Sequence, residues 1–507
     1  MHSPLLVIVV AWGESYFRNM EIDFQIGIIG SGLAGIAAAL KLRKSDKDSY
    51  VIFEKSPEAG GIWRDNVYPG CRCDVVSHVY SFLDELNPNW ESLYATQSEI
   101  YDYINHVIDK NEIREHIKFN TDIVEATFIP EHGHWLLRDG FNQTIRVKVL
   151  IVALGKLIRP KIPLFKNADQ FKGKIMHSAN WDSSYQLNNK RVGVVGTGAS
   201  AVQIVPSIIH MVKYLTVFQR SAPWITFRHN INYTATDHSK FKKYPFLLRL
   251  KRFLYYRKNE LLGSAFVGPK WINRLFRYVF LKNMAKAVYD PDMIKKLTPD
   301  YNVGCKRVMR SDDYYPVFNR PNVDLEVDQI DSFTADGIKT IAGKEYKLDA
   351  VIMATGFEVA NFNFKVNIIG LKGQNLRNLW RANDAQCYKG MITSGFPNLA
   401  FVSGPNTASG FNSSLLLMEA QASYIVKYID QIELAGKKSY LDLRPEVQNT
   451  YMDDLHQRFQ DTVWLSGCQS YHQNSNGKNV YVFPGYFRQF KKLVKRFRKG
   501  EYMVFHN

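Results

Sequence analysis

GIIGSGLAG at residues 27–35 ends a short β-branched run and opens a small-residue stretch. GVVGTGASA at residues 193–201 repeats the pattern, with Gly30 and Gly196 lying 166 residues apart. The first motif spaces Gly30, Gly32 and Gly35 around Ser31. The second spaces Gly196, Gly198 and Ala201 around Thr197. This is the pattern of a dinucleotide-binding βαβ turn. One glycine makes the tight turn, one lets the backbone approach a pyrophosphate, and the third position must be small for the helix to close on the strand. The anion then faces the N-terminus of the helix. Two such units predict an α/β chain with two Rossmann-like domains that binds two dinucleotides and passes electrons between them.

The units differ at one offset. Twenty-four residues after Gly30 stands Glu54, at the end of the strand-like run Tyr50-Val-Ile-Phe-Glu. Twenty-four after Gly196 stands Arg220, at the end of Tyr214-Leu-Thr-Val-Phe-Gln-Arg. An acid there bonds ribose hydroxyls and repels a 2′-phosphate, whereas an arginine attracts that phosphate. The first site is therefore expected to take FAD or NAD, and the second NADP.

A length of 507 residues supports two or three domains. The five cysteines are few and irregularly spaced, so no secreted disulfide framework is expected. Cys71-Arg-Cys73 lacks the spacing and second pair of a zinc site, and no metal is expected. The pair reads as two reduced thiols near a cofactor. The apolar run at 5–12 is neither a signal peptide nor a membrane span, and a reducing cytoplasm is expected.

The net charge of +17 is concentrated. Residues 240–286 carry 13 Lys/Arg against the single acid Glu260, and residues 488–499 carry seven basic residues and no acid. Phe246, Leu250, Phe253, Leu254, Trp271 and Leu275 recur among the first set at helical spacing. The segment reads either as helices packed on the enzyme with solvated basic faces, or as peripheral contact with anionic membrane. Nucleic acid is not expected, because no recognition motif accompanies the charge.

Along the chain, residues 1–21 read as an extension. Residues 22–158 and 346–507 read as an FAD-binding domain, because the strand-like run at 348–354 looks like a return to the first unit. Residues 159–345 read as an NADP-binding domain with a basic helical insertion at about 238–290.

Between the glycine motifs, Phe171, Gly173, His177, Trp181 and Asp182 fit FxGxxxHxxxW(P/D). On this fingerprint the chain resembles the type I Baeyer–Villiger monooxygenases over roughly residues 22–490. Gly60-Gly61-Ile62-Trp63, Tyr68-Pro-Gly-Cys-Arg-Cys-Asp74, Gly304-Cys-Lys-Arg307 and Ala354-Thr-Gly-Phe357 extend the resemblance. It implies FAD, NADPH and O2, and insertion of one oxygen beside the carbonyl of a ketone through a flavin C4a-peroxide. Arg307 matches the arginine that stabilises the peroxide and the substrate oxyanion, and Asp74 the carboxylate that orients it. Glu54, Gly61, Trp63, Asp74 and Tyr80 would line FAD. Thr197, Gly198, Ala199, Ser200 and Gln203 would line NADP, with Arg220, Ser221 and Lys306 at its 2′-phosphate. His177 reads as a hinge element rather than a base.

Two departures stand out. Cys71 replaces the family's common alanine, and Gly467-Cys-Gln-Ser-Tyr471 replaces the Trp of GCxSWY with Tyr. The latter loop is expected to cover the substrate. Tyr314, Tyr315, Phe411 and Trp464 suggest an apolar ketone. The main alternative is an N- or S-oxygenating flavin monooxygenase, which needs no arginine-held peroxide anion. A flavin disulfide reductase would need a better-spaced cysteine pair than Cys71 and Cys73. A non-enzymatic membrane-binding protein is the remaining class.

Overall fold

The first glycine motif joins β1 (Phe24–Ile29) to α1 (Leu33–Arg43), and β2 (Tyr50–Phe53) returns parallel to β1. The computed structural model describes residues 21–506 except Ala360, Asn361 and Asn363. The run at 5–12 lies outside the described residues. All four residues of β2 are buried, as expected of a parallel strand covered on both faces. The first sheet continues with β3 (Ile117–Lys118), β4 (Ile123–Ile129), β5 (His134–Asp139) and β6 (Thr144–Val152). Its order is β4-β5-β6-β1-β2-β3, with Asn367–Ile369 beyond β4 and Leu399–Phe401 paired to the second half of β6.

The second sheet is wholly parallel. It contains β7 (Lys174–His177), β8 (Arg191–Val195), β9 (Tyr214–Phe218), β10 (Val323–Glu326) and β11 (Ala350–Met353), in the order β10-β9-β8-β11-β7. The helix α2 (Ala199–Ile208) follows β8 through the second glycine motif. The expected return to the first domain at residue 346 is corrected here, because Ala350–Met353 lies between β7 and β8. The chain re-enters the first sheet only at Asn367–Ile369. An apolar strand run shows that a strand is buried, but not which neighbours it has.

Between β9 and β10 the chain forms α3 (Ala235–Lys243), α4 (Pro245–Leu262), α5 (Ser264–Val267) and α6 (Lys270–Ala287). These are the helices of the basic insertion. After the second sheet, α7 (Ser414–Ala435) packs on α1, and α8 (Phe487–Val494) packs on α7. No described helix is long and apolar enough to cross a membrane.

His78, His134 and His472 are buried in separate parts of this fold. Burial first, then nearby cations, pushes His78 and His134 down to about 4 and His472 down to about 3. The unfolded chain then binds more protons than the folded one between these values and about 6.5. Stability from this source is complete above pH 6.5 and is lost as pH falls toward 4. For His78 the full difference is worth about 3 kcal/mol. His78 also bonds the Tyr233 hydroxyl at 2.8 Å, a contact that glutamine can keep. The His78→Gln enzyme is expected to lose less stability than wild type between pH 6.5 and 4.5, read by urea denaturation at each pH.

Candidate active site

Both glycine motifs end at helices whose first turns are open. Gly32 and Gly198 provide no side-chain cap, and neither first turn holds an acid. The helices starting after Thr96 and Thr234, by contrast, close their N-termini with complete capping boxes. Uncapped N–H groups are what a pyrophosphate needs. Backbone geometry agrees. Gly30 and Gly196 have φ of +103° and +111°, and a Cβ at Gly35 would drive into the carbonyl oxygen of Gly30. Gly61 (φ +55°) lies against Gly32, where an added Cβ would come within 3.1 Å of the Gly32 Cα.

Glu54 leaves β2 beside this cradle. Its carboxylate accepts from the Ser31 N–H at 3.0 Å, the Ser31 hydroxyl at 2.7 Å and the Ser56 N–H at 3.1 Å. A buried acid fixed at the strand end is where an adenosine ribose would be held. Trp63 donates its indole N–H to the Tyr80 hydroxyl at 3.0 Å, the rings meeting edge to face. These residues fit an FAD site.

At the second unit, Thr197 donates its hydroxyl to the Ser221 carbonyl at 2.8 Å, and Lys306 Nζ donates to the Ser221 hydroxyl at 2.9 Å. Burial, and then the Arg220 charge, pushes the Lys306 ammonium below the usual lysine range. Two cations and a hydroxyl thus converge near a helix N-terminus, and they fit a 2′-phosphate. Gln203 reaches across to the first unit. Its amide accepts from Tyr68 at 3.0 Å and from the Arg72 N–H at 3.3 Å, and donates to the Arg72 carbonyl at 2.9 Å. It bolts α2 to the loop preceding Asp74.

That loop meets the segment after Gly304 at one contact. Arg307 donates from Nε and Nη2 to the two Asp74 oxygens, both at 2.7 Å. The Asp74 charge, larger than the opposing burial, raises the guanidinium well above its usual range. Burial works to raise the Asp74 carboxyl, but Arg307, with help from Arg310, outweighs it and holds the group below the carboxylate range. Arg310, which sequence reasoning missed, bonds the Tyr94 hydroxyl at 2.9 Å.

Two further features were not expected from the sequence. Cys305, two residues before Arg307, is joined by a disulfide to Cys468. Irregular cysteine spacing carries no sign of this pairing, which only the fold brings together. Cys71, Cys73 and Cys387 remain free thiols. The disulfide ties the Arg307 segment to the loop bearing Tyr471 and His472. Tyr481 stacks on His472 at 5.1 Å and lies under Lys156 Nζ at 4.7 Å. Burial pushes the Lys156 ammonium down to about 7. Its sequence signal was a lone charge in Leu154-Gly-Lys156, just past the buried strand β6.

The remaining expected residues separate. Tyr314 and Tyr315 are core of the second unit, packed with α2 and Phe318. Phe411 and Trp464 gather around Phe266, which lies against Gly304. In the fingerprint, Phe171 is core, Gly173 leaves room for its ring, and Asp182 pairs with Lys174 at 2.6 Å. His177 ends β7 and meets Phe357 edge to face, where the chain leaves the second sheet. The fingerprint therefore fastens the edge strand to the crossing between domains. Among the described residues no cluster could hold a metal ion.

The model of the family described as flavin-binding monooxygenase-like matches residues 23–377. The chain belongs to this family. It is 35% identical to a Baeyer–Villiger monooxygenase of Streptomyces coelicolor, over 95% of this chain and 92% of that protein. It is 34% identical to one of Pseudomonas aeruginosa, over 94% and 91% respectively. A steroid monooxygenase bound to NADP superposes with a TM-score of 0.82 at 28% identity, over 93% of this chain and 97% of that one. OTEMO in complex with FAD and NADP gives 0.85 at 25% identity, over 96% and 100%. The monooxygenase stands with the Baeyer–Villiger branch that its fingerprint indicated.

Arg220 and Lys306 give this monooxygenase a separable test. The Arg220→Ala and Lys306→Ala enzymes are expected to raise KM for NADPH by about tenfold or more, narrow the preference over NADH, and keep FAD content. Steady-state kinetics with both nucleotides, beside flavin absorbance, measures this.

Proposed function

We propose that this FAD- and NADPH-dependent monooxygenase converts an apolar ketone to an ester or lactone, taking one oxygen atom from O2. The observation that carries the reading is the bidentate Asp74–Arg307 pair, which fixes a permanent cation beside Tyr471 and Tyr481. Gly30, Ser31, Gly32, Gly35, Glu54, Gly61, Trp63 and Tyr80 would hold FAD. Thr197, Gly198, Ala199, Ser200, Arg220, Ser221 and Lys306 would hold NADPH. FAD, when bound there, would supply the redox chemistry between NADPH and O2.

The chain's own part is electrostatic. Attack on a ketone needs a deprotonated oxygen nucleophile and leaves negative charge on the carbonyl oxygen. A guanidinium with its charge held by Asp74 stabilises that charge and cannot donate a proton that would quench the nucleophile. The pair occupies Nε and Nη2, so Nη1 lies outside it. The heteroatom-oxygenating alternative is not favoured, since the Streptomyces and Pseudomonas relatives are Baeyer–Villiger monooxygenases. We also propose a cytoplasmic enzyme that touches anionic membrane peripherally through 240–286, with no nucleic-acid partner.

Aerobic turnover under 18O2 with NADPH and a panel of ketones, thioethers and amines tests the reaction. Ester or lactone carrying one labelled oxygen is expected. Arg307→Ala should abolish ester formation, a loss of at least about a thousandfold, while leaving some sulfoxidation. Labelled sulfoxide or N-oxide alone from the wild-type enzyme would reverse the reading.

A further inference from the structure

Helix α4 buries charge and exposes apolar side chains. Beside Leu248, its inward side holds Arg252, Asn259 and Glu260, only 5%, 8% and 9% exposed, with Tyr255 and Tyr256 half-buried. Arg252 donates to the carbonyls of His78 at 3.2 Å, Val79 at 3.4 Å and Ser81, and pairs with Glu419 at 3.1 Å. Glu260 accepts from the Asn412 amide at 3.1 Å and from the Phe487 N–H at 3.2 Å. The outward side carries Phe246 (62% exposed), Leu250, Phe253, Leu254 and Leu261 (75%). Their spacing of three, four and seven residues places them in one row along the helix. Exposed Arg249, Arg257 and Lys258 are interleaved with them, and the one acid of the helix faces inward.

A row of exposed apolar side chains, with charged groups buried beneath it, is not what a solvated surface helix requires. Folding also unites the two basic clusters seen in the sequence. Because Glu260 holds the backbone of Phe487 and Arg488, the basic stretch at 488–499 begins beside α4. Helix α6 repeats the composition, exposing Trp271, Leu275 and Tyr278 among Arg274, Lys282 and Lys286 with no acid.

We propose that the outward face of α4 docks on an anionic lipid surface, its apolar row entering the headgroup layer and its Lys/Arg residues meeting lipid phosphates and carboxylates. Charge complementarity selects this occupant. Apolar side chains with cations and no exposed acid are the composition that holds a helix in the plane of an anionic interface. A second copy would bring the same positive face against itself. The inference rests on the peripheral contact proposed above and names its surface. It also bears on substrate access. Gly263, at the end of α4, lies against Phe411, and Phe266 of α5 lies against Gly304, three residues before Arg307. The docking helix thus leads directly to the wall of the candidate active site.

The test is flotation of the holoenzyme with phosphatidylcholine vesicles, with and without phosphatidylserine. A Leu250→Ser/Phe253→Ser/Leu254→Ser variant is compared, and ketone turnover and flavin content in free solution are recorded for both. Wild type is expected to float with the anionic vesicles only. The variant is expected to partition about tenfold or more weakly while turning over ketone as wild type does. A Phe253→Trp enzyme should show a blue-shifted emission on adding anionic vesicles, a readout that needs no loss of binding. Absence of wild-type flotation would overturn the peripheral reading altogether. Equal flotation of wild type and triple variant, with no Phe253→Trp shift, would keep charge attachment but overturn docking by α4. A wild-type dimer that the triple variant dissolves, with neither protein floating, would assign the face to a second copy instead.

Discussion

The bidentate pair between Asp74 and Arg307 is the contact on which the proposed chemistry depends. Its partners come from distant parts of the chain. Asp74 stands in the loop after the FAD-type βαβ unit, and Arg307 in the segment after the helical insertion of the NADP-type unit. The pair can form only when the two units are correctly assembled. Gln203 secures the same assembly a short distance away by fastening α2 to the Asp74 loop. One arrangement therefore both joins the two units and fixes the Arg307 guanidinium where they meet.

Electrostatics around the pair follow a consistent pattern. Arg307 and Arg310 both act on the Asp74 carboxylate, and Arg307 and Lys156 both act on His472, in partly or wholly buried surroundings. The Coulomb interaction of such groups is stronger than in water because little solvent screens them. His472 is kept neutral there by burial and by the neighbouring Arg307 and Lys156. A permanent guanidinium in such a site is suited to developing negative charge on oxygen. The Cys305–Cys468 link and the ring cluster of Tyr471, His472 and Tyr481 hold the C-terminal loop against this region.

Much of this was legible in the sequence because the deciding signals are local. Gly30, Gly32, Gly35 and Glu54 act within one βαβ unit, so spacing alone placed them at the open end of α1. Arg220 stands at the same offset in the second unit, where its charge reaches Lys306. Lys306 and Arg307 needed the resemblance, since nothing near them in sequence shows that they face Ser221 and Asp74. The misplaced strand at 350–353 marks the limit, because order within a parallel sheet is set by long crossovers rather than by the strand's own residues. The Cys305–Cys468 pairing is equally non-local. The amphipathic spacing of α4 was visible, but not which side faces inward. Burying Arg252 and Glu260 is tolerable only because residues from 78 to 487 complete their hydrogen bonds. The resemblance put Gln203 at the cofactor, and its partners at 68 and 72 could not be seen from its own helix.

The central claim is that Asp74 and Arg307 work as one device. A double-mutant cycle in ester formation tests it most directly, comparing Asp74→Asn, Arg307→Ala and the double variant in kcat/KM for ketone, each loaded with FAD. Residues that act as a unit lose their effects together. The account predicts that Asp74→Asn impairs ester formation in the wild-type background and costs nothing further once Arg307 is gone. Independent, additive losses would contradict it and leave Asp74 a role apart from the arginine.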